Sequence, residues 1–517
     1  MRCEHQNPFP PSDHSAVHII AATVTDLAAA LGAVGAAAIL TSGRRVVVLA
    51  GLVAVVATEV LFAHVGGLHL SAKLIGAAAV GVVILAALAA LLLRARWLVI
   101  PLAAVAAPFR LPLDFGSSHR YFVAIAHDGQ LGRLLPLYVV LAVATLAFAW
   151  DALRGRTGQP LARELAFPAA AFLAFASLSL TWTIDAGSGR NLVEYFLMPF
   201  AVLVAVVGRA PFPARLPRVL AVIAITLALL FAVVGIIEEA AHKLIFYSHG
   251  LQVENTYTSF FRVTSLFRDP SLYGRHVVLG MAVVVVLLWL REIGVTAAAV
   301  LLAVMWTGLY FSYSQSSYAA LFVVVLAITL VAADPRMRRL ALAAAVVLVL
   351  AAIGIAAAKV AHSSVRKATS DRSRRITLTA KVFEHHLVAG VGLGGQPRAS
   401  QQLSTRLGPL PNFVSHTTPL TVAAELGVVG LLFYIAVLAG AAHALDAVRR
   451  RHQALGLSLA AVFLALFVHS LAYSGFFEDP ITWLVLAIAA AYLCLPRPVR
   501  EPVPSVPAEP LQQVPAR

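Results

Sequence analysis

Residues 415–427 read SHTTPLTVAAELG and have the marks of a helix start. Thr418 can cap the first free backbone donors while Pro419 takes the first helical position, where its missing N–H costs nothing. His416 then stands just before a helix N-terminus, at the positive end of the dipole, where an anionic group can dock. Glu425 follows about two turns deeper at a rise of about 1.5 Å per residue. A carboxylate in lipid needs a partner, either an arginine or a protonated contact. The plainer alternative makes His416 an interfacial residue and Glu425 a helix-packing polar group.

A second set is cationic. RVTSLFRDPSLYGR, 262–275, gathers Arg262, Arg268 and Arg275 at one end of an apolar run. Arginine suits a diphosphate because its planar fork donates two hydrogen bonds and stays charged. Asp269 either leaves the cluster to a ligand or pairs with one of its arginines. Arg190, in TWTIDAGSGRNLVEYF (181–196), opens another run, where it meets an anion or snorkels to headgroups. Arg375 belongs to a third basic stretch with Arg366, Lys367, Arg372, Arg374, Lys381, Arg398 and Arg406.

Other polar groups are less pointed. GVGLGG, 390–395, has the glycine spacing of a dinucleotide fingerprint, but neither a strand nor a ribose-binding acid frames it. A tight loop that lets backbone approach a neighbouring helix, or an anion-binding concavity, fits it better. SYSQSSYAAL, 312–321, puts Ser314 and Gln315 at a run end. Glu478 and Asp479, in FFEDP, bind a metal, activate a hydroxyl, or form a solvated turn before Pro480. Glu59 and Asp26 fall inside apolar runs, where they serve a buried hydrogen bond or a proton path.

The elements that must hold these groups follow from composition. Of 517 residues 60% are hydrophobic and 12% charged, and the mean hydropathy is +0.86, so most of the chain belongs in lipid. A helix needs about 20 mostly apolar residues to cross the hydrocarbon layer. The runs lack the alternating period of barrel strands, so the expected fold is all-α. Apolar runs lie near 17–40, 45–64, 74–93, 97–109, 134–152, 165–182, 191–208, 219–238, 273–290, 296–311, 317–333, 340–358, 419–444, 455–474 and 481–495, and the short 97–109 run either crosses or re-enters. About 12–15 transmembrane helices are therefore expected within a single membrane domain, 17–495. A polar segment, 1–16, precedes it and a Pro-rich disordered tail, 496–517, follows it. The run 17–40 is too long for a signal-peptide core and reads as a retained span.

The net charge of +15 suggests nucleic acid in a soluble protein; here the membrane accounts for it, because Lys and Arg collect in cytoplasmic loops. Short arginine-rich connections around Arg44, Arg94, Arg154, Arg209, Arg336 and Arg449 all fall on one side of this span set. The amino terminus is then outside and the carboxyl terminus inside. The opposite, extracytoplasmic face carries the long segments 110–133, 239–272 and 359–418, and with them the candidate residues. Cys3 and Cys494, at opposite chain ends, support neither a disulfide framework nor a metal cluster.

In order along roughly 181–480, these segments resemble the O-antigen ligase and O-antigen polymerase superfamily of bacterial membrane glycosyltransferases, of GT-C type. Arg190 precedes a span; Arg262 opens an R-x-x-S-x-F-x-x-P segment; Ser314 and Ser316 sit at a span end; Arg375 leads through Phe383 and His386 to the glycine run. His416, Leu420, Glu425 and Gly427 resemble the family's H-N-x-x-L-x-x-x-x-E-x-G, with Thr417 in place of its asparagine, Leu387 in place of a proline and Gln315 in place of a frequent arginine. Region 1–130 adds nothing to the match.

The resemblance implies transfer of a glycan from an undecaprenyl diphosphate carrier to an acceptor hydroxyl on the extracytoplasmic face of the bacterial inner membrane. His416 is then the catalytic group. Arg190, Arg262 and Arg375 bind the diphosphate, with Glu425, Arg268 and Ser314 in support. Neither cofactor nor metal is expected, because the arginines serve as the cation and the displacement inverts the sugar carbon. The expected partners are a polyprenyl-diphosphate-linked glycan donor, a glycan, lipid or protein acceptor, and membrane lipid, with no nucleic acid. The principal rival is a transporter or flippase of lipid-linked oligosaccharide, which calls for ionisable groups near midmembrane and broken, repeated helices. A structural membrane subunit without chemistry is the other.

Overall fold

The computed structural model describes residues 13–66, 71–109, 134–156, 159–245, 249–267, 269–361, 372–404 and 415–496. Loop 110–133, Arg268 and the tail beyond 496 lie outside them. The described chain is helical, without a strand. Eleven of its helices are long and apolar enough to cross a membrane. Arg96–Ala106, Val295–Tyr310 and Pro480–Leu493 are shorter apolar helices, and Pro335–Ala361 occupies the remaining run. Every apolar run read from the sequence coincides with helix. The short run ends in the eight-residue helix Val99–Ala106, about 12 Å long at about 1.5 Å per residue and so too short to cross by itself.

Burial sorts the helices. Pro270–Trp289 has 78% of its apolar window inside the protein, whereas Ile75–Leu92 has 11%; the former is the axis of the bundle and the latter faces lipid. Around the axis pack Leu216–Ala241, Val295–Tyr310, Gln315–Ala332 and Gln453–Ser470. The arginine-rich connections share one end of the bundle. Arg209 donates to the carbonyl of Ser42, Arg451 to that of Leu493, and Arg96 pairs with Asp151. At the opposite end, Ile184 N–H bonds to Val391 O, Thr417 to Leu471 O, and Arg275 to Asp479.

One helix is opened to receive a loop. Thr418–Arg451 breaks at Gly427, whose φ of 65° and ψ of −164° suit only glycine. The break frees the N–H groups of Val428 and Val429, which donate to the carbonyls of Leu387 and Val388. The carbonyls of Ala424 and Glu425 accept in turn from Val391 and Gly392. The glycine run is thus a close-approach loop. A Cβ on Gly390 would strike the Glu425 carbonyl, one on Gly392 would strike Thr183, and one on Gly394 would meet Gly189.

Gly427→Ala should therefore be severe. It places a side chain in the glycine-only region, at a cost of about 1–3 kcal/mol, and drives a methyl into the Val388 carbonyl. A melting temperature lowered by several degrees, with faster proteolysis between 372 and 404, is the expected result; an unchanged melting curve and digestion pattern would refute this account of the break.

Candidate active site

The helix after His416 begins at Thr418, with Thr417 as its N-cap and no side-chain cap bond. Thr418 was expected to cap, but its hydroxyl is buried without a partner among the described residues. It lines a 60 Å³ cavity together with Glu425, Ser474 and Glu478. His416 nevertheless stands where expected, one residue before the cap.

Arg375, on helix Arg372–His385, meets His416 there. Its Nη1 donates to His416 Nε2. A guanidinium has no lone pair to offer, so the imidazole nitrogen accepts, and the ring is neutral with its proton on Nδ1. Nδ1 has no partner among the described residues. Burial of the half-buried ring, then the charges of Arg375 and Arg372, push its pKa below the usual imidazole value, with Asp269 acting in the opposite sense. Asp269 itself caps helix Pro270–Trp289, accepting from Ser271 and Leu272. The Tyr473 ring lies 6.3 Å from that of His416.

Arg262 stands apart from this pair. Its Nη1 is 3.0 Å from Glu254 and its Nε contacts the Ser312 carbonyl. Glu238 holds its loop: the buried carboxylate accepts from Ile245, Thr264 and Ser265 N–H groups at 2.6–2.8 Å, and Ser265 adopts φ 51°. From Arg262 a line of polar contacts leads toward His416. Ser314, the N-cap of Gln315–Ala332, touches Ser316 and Ser317. Ser316 bonds to His469, whose ring neighbours Tyr473.

Arg190 occupies a third place. It lies beside Glu194 and Tyr195, on the π-helical turn Val193–Leu197, with Glu59 close to Glu194. The structure therefore joins Arg375 with His416, and sets Arg262 and Arg190 among carboxylates of their own.

Two carboxylates have partners other than those the sequence suggested. Glu425, 5% exposed, is met by the backbone N–H groups of Gly394 and Gln396, so among the described residues its partner is the docked loop and not an arginine. Asp479 is not a solvated turn residue. It is fully buried, caps Pro480–Leu493 through Ile481 N–H, and pairs with Arg275. Removing one member of such a pair leaves an uncompensated buried charge, a loss of about 3–5 kcal/mol.

Reading by residue type missed Glu238, Tyr473 and Gln396, and named Arg372 only as a member of the basic stretch around Arg375. Nothing local signals those three, whose roles depend on partners far along the chain.

Residues 297–435 match the family model described as O-Antigen ligase. The stretch includes Ser314, Arg375, His416 and Glu425 and leaves out Arg190 and Arg262. A search among curated proteins finds no match. A polytopic all-helical chain in which this segment carries Arg375, His416 and the start of the helix after it is similar to the O-antigen ligases over that segment, a match that supports the O-antigen ligase superfamily of glycan-transferring membrane enzymes.

Proposed function

We propose that the protein transfers a glycan from a polyprenyl diphosphate carrier, undecaprenyl diphosphate in bacteria, to an acceptor hydroxyl on the extracytoplasmic face of the cytoplasmic membrane. The observation that carries this reading is the contact between Arg375 and His416. It couples a permanent cation to a neutral imidazole, the two groups needed to receive a departing diphosphate and to take a hydroxyl proton.

In the resting site Arg375 occupies the Nε2 lone pair. A diphosphate offers the guanidinium a stronger, charged acceptor, and Nε2 is released toward the acceptor hydroxyl. His416 Nε2 takes the hydroxyl proton as the oxygen attacks the anomeric carbon. The bond from that carbon to the diphosphate oxygen breaks with inversion, and the carrier diphosphate leaves with its charge held by Arg375 and Arg372. A positioned general base contributes about 10²–10⁴-fold. Arg262 joins at small cost, because Glu254 is 43% exposed and a solvent-facing pair is worth about 0–1 kcal/mol.

The carrier's hydrocarbon has a place as well. An apolar groove of about 640 Å³ runs from Arg218 and His452, at the arginine-rich end, to Phe231, His276 and Ile481. His276 adjoins Arg275 of the buried pair, so the groove approaches the end that carries His416.

Membranes from the host strain lacking the gene supply donor and acceptor together. Purified protein added to them, permeabilised so that no gradient persists, should release polyprenyl diphosphate and consume the accumulated lipid-linked glycan. Conversion only in sealed, energised vesicles would favour a flippase.

A further inference from the structure

Gln396 opens helix Gln396–Leu403 directly after the glycine loop and is 1% exposed. Its Oε1 accepts from the backbone N–H of Ser415 at 3.0 Å. Its Nε2 donates to Thr379 Oγ1 at 3.1 Å and to Ser400 Oγ at 2.7 Å. The amide orientation follows from chemistry: a backbone N–H must face the oxygen, which turns both amide protons toward the hydroxyls. Thr379 in turn gives its own proton to the carbonyl of Arg375, at 2.9 Å.

The result is a directed chain. Ser415 donates to Gln396, Gln396 to Thr379, and Thr379 to Arg375; the two chain ends adjoin the groups that meet as His416 and Arg375. The main chain of Gln396 is itself pinned, since its N–H points with that of Gly394 to the Glu425 carboxylate.

We propose that Gln396 is the positioning residue of the site, fixing the distance between His416 and Arg375 through Ser415 and Thr379. This rests on the function proposed above. Packing alone does not need the amide: Val382, Val391, Ala399 and Ala424 form a small apolar core of their own, with Ile184 and Phe383 against it. That core holds the loop helices to the membrane helix whether or not the amide bonds are made. What the amide adds is register between the Ser415 segment and the helix of Thr379, beside the direct bond from Arg375 to His416.

Two substitutions test it in the same deletion-strain membranes. Gln396→Leu keeps the volume and removes every bond; the rate at saturating donor should fall at least tenfold while the apparent KM for donor moves less than threefold. Gln396→Glu still accepts from Ser415, and the hydroxyls of Thr379 and Ser400 can turn to donate to it. It also adds a negative charge on the Thr379 side of the site.

The groups that face His416 are Arg375 and Arg372 from their helix, Asp269 from the cap of Pro270–Trp289, and Tyr473. The first two hold the imidazole neutral, so a new anion makes it easier to protonate. The acid limb of the rate against pH should therefore move to higher pH in Gln396→Glu. Rates are taken per folded molecule, from the melting transition of each preparation.

A purely structural glutamine would leave the rate per folded molecule at its wild-type value in both variants, and that result overturns the proposal. If Gln396→Leu does not fold, the rate per folded molecule of Gln396→Glu decides alone, because Thr379, turned toward the carboxylate, no longer donates to the Arg375 carbonyl. Failure of wild-type protein to convert the membranes, or full activity of His416→Ala, would overturn the function itself and this role with it. An active wild type beside an inactive His416→Ala and unaltered Gln396 variants would remove only the role of Gln396.

Discussion

His416→Ala should reduce glycan transfer by about 10²–10⁴-fold, the usual contribution of a positioned general base, while the protein remains inserted and the lipid-linked donor accumulates. The substitution removes a half-buried ring that bonds to Arg375 outside the membrane core, so the helix bundle keeps its packing. The pH dependence gives a second test in the wild type. The base must be unprotonated to act, and burial together with Arg375 and Arg372 lowers the imidazole pKa below its ordinary 6.5. Protonation, and with it loss of rate, therefore begins only on the acid side of that value, and the rate is flat through neutral pH. A limb above 6.5, or wild-type transfer by His416→Ala, would exclude His416 as the base. The accumulated donor separates this outcome from misfolding, since a degraded protein would be absent from the membrane fraction altogether.

What the sequence made legible was whatever depends on a local window. A run of about 20 apolar residues announces a span without reference to any partner, and every such run is helix. The arginines of the short connections likewise sort to one end, as the bonds of Arg209, Arg451 and Arg96 show. Residues 416, 425 and 427 were legible as a motif, because their types and spacing stand in one stretch. Their meaning was not. Glu425 is satisfied by backbone N–H groups at 394 and 396, and backbone donors leave no trace in composition. Gly427 looks like any helical glycine until Val388 is seen against it.

Charged residues were the least legible, because an arginine carries no mark of the anion it faces. Asp479 sits in FFEDP, which reads as a turn, and its partner Arg275 lies in another helix. Arg262 and Arg190 read as free cations, yet Glu254 and Glu194 stand beside them. Desolvation decides such pairings, and it is set by tertiary packing. Arg375 differs in that its guanidinium meets a neutral imidazole.

Arg375→Ala should accordingly lower kcat/KM for the lipid-linked donor by about 10²–10³-fold, the scale seen when one preorganised donor to developing negative charge is removed. Arg375→Lys should recover only part of the loss. An ammonium restores the charge but not the planar fork that grips two phosphate oxygens at once. The two variants also separate charge from geometry through His416. After burial, the charge of Arg375 does most to hold the imidazole pKa down, so alanine moves the acid limb of the rate profile to higher pH, whereas lysine, with its charge retained, leaves the limb near the wild-type position. Inorganic pyrophosphate supplies an independent reading: it should inhibit wild-type transfer competitively with donor and lose that effect in Arg375→Ala. Were the alanine variant to show the wild-type limb and undiminished inhibition by pyrophosphate, Arg375 would be neither the diphosphate ligand nor the group that keeps His416 neutral, and the diphosphate would have to be held elsewhere, with Arg262 the next residue to examine.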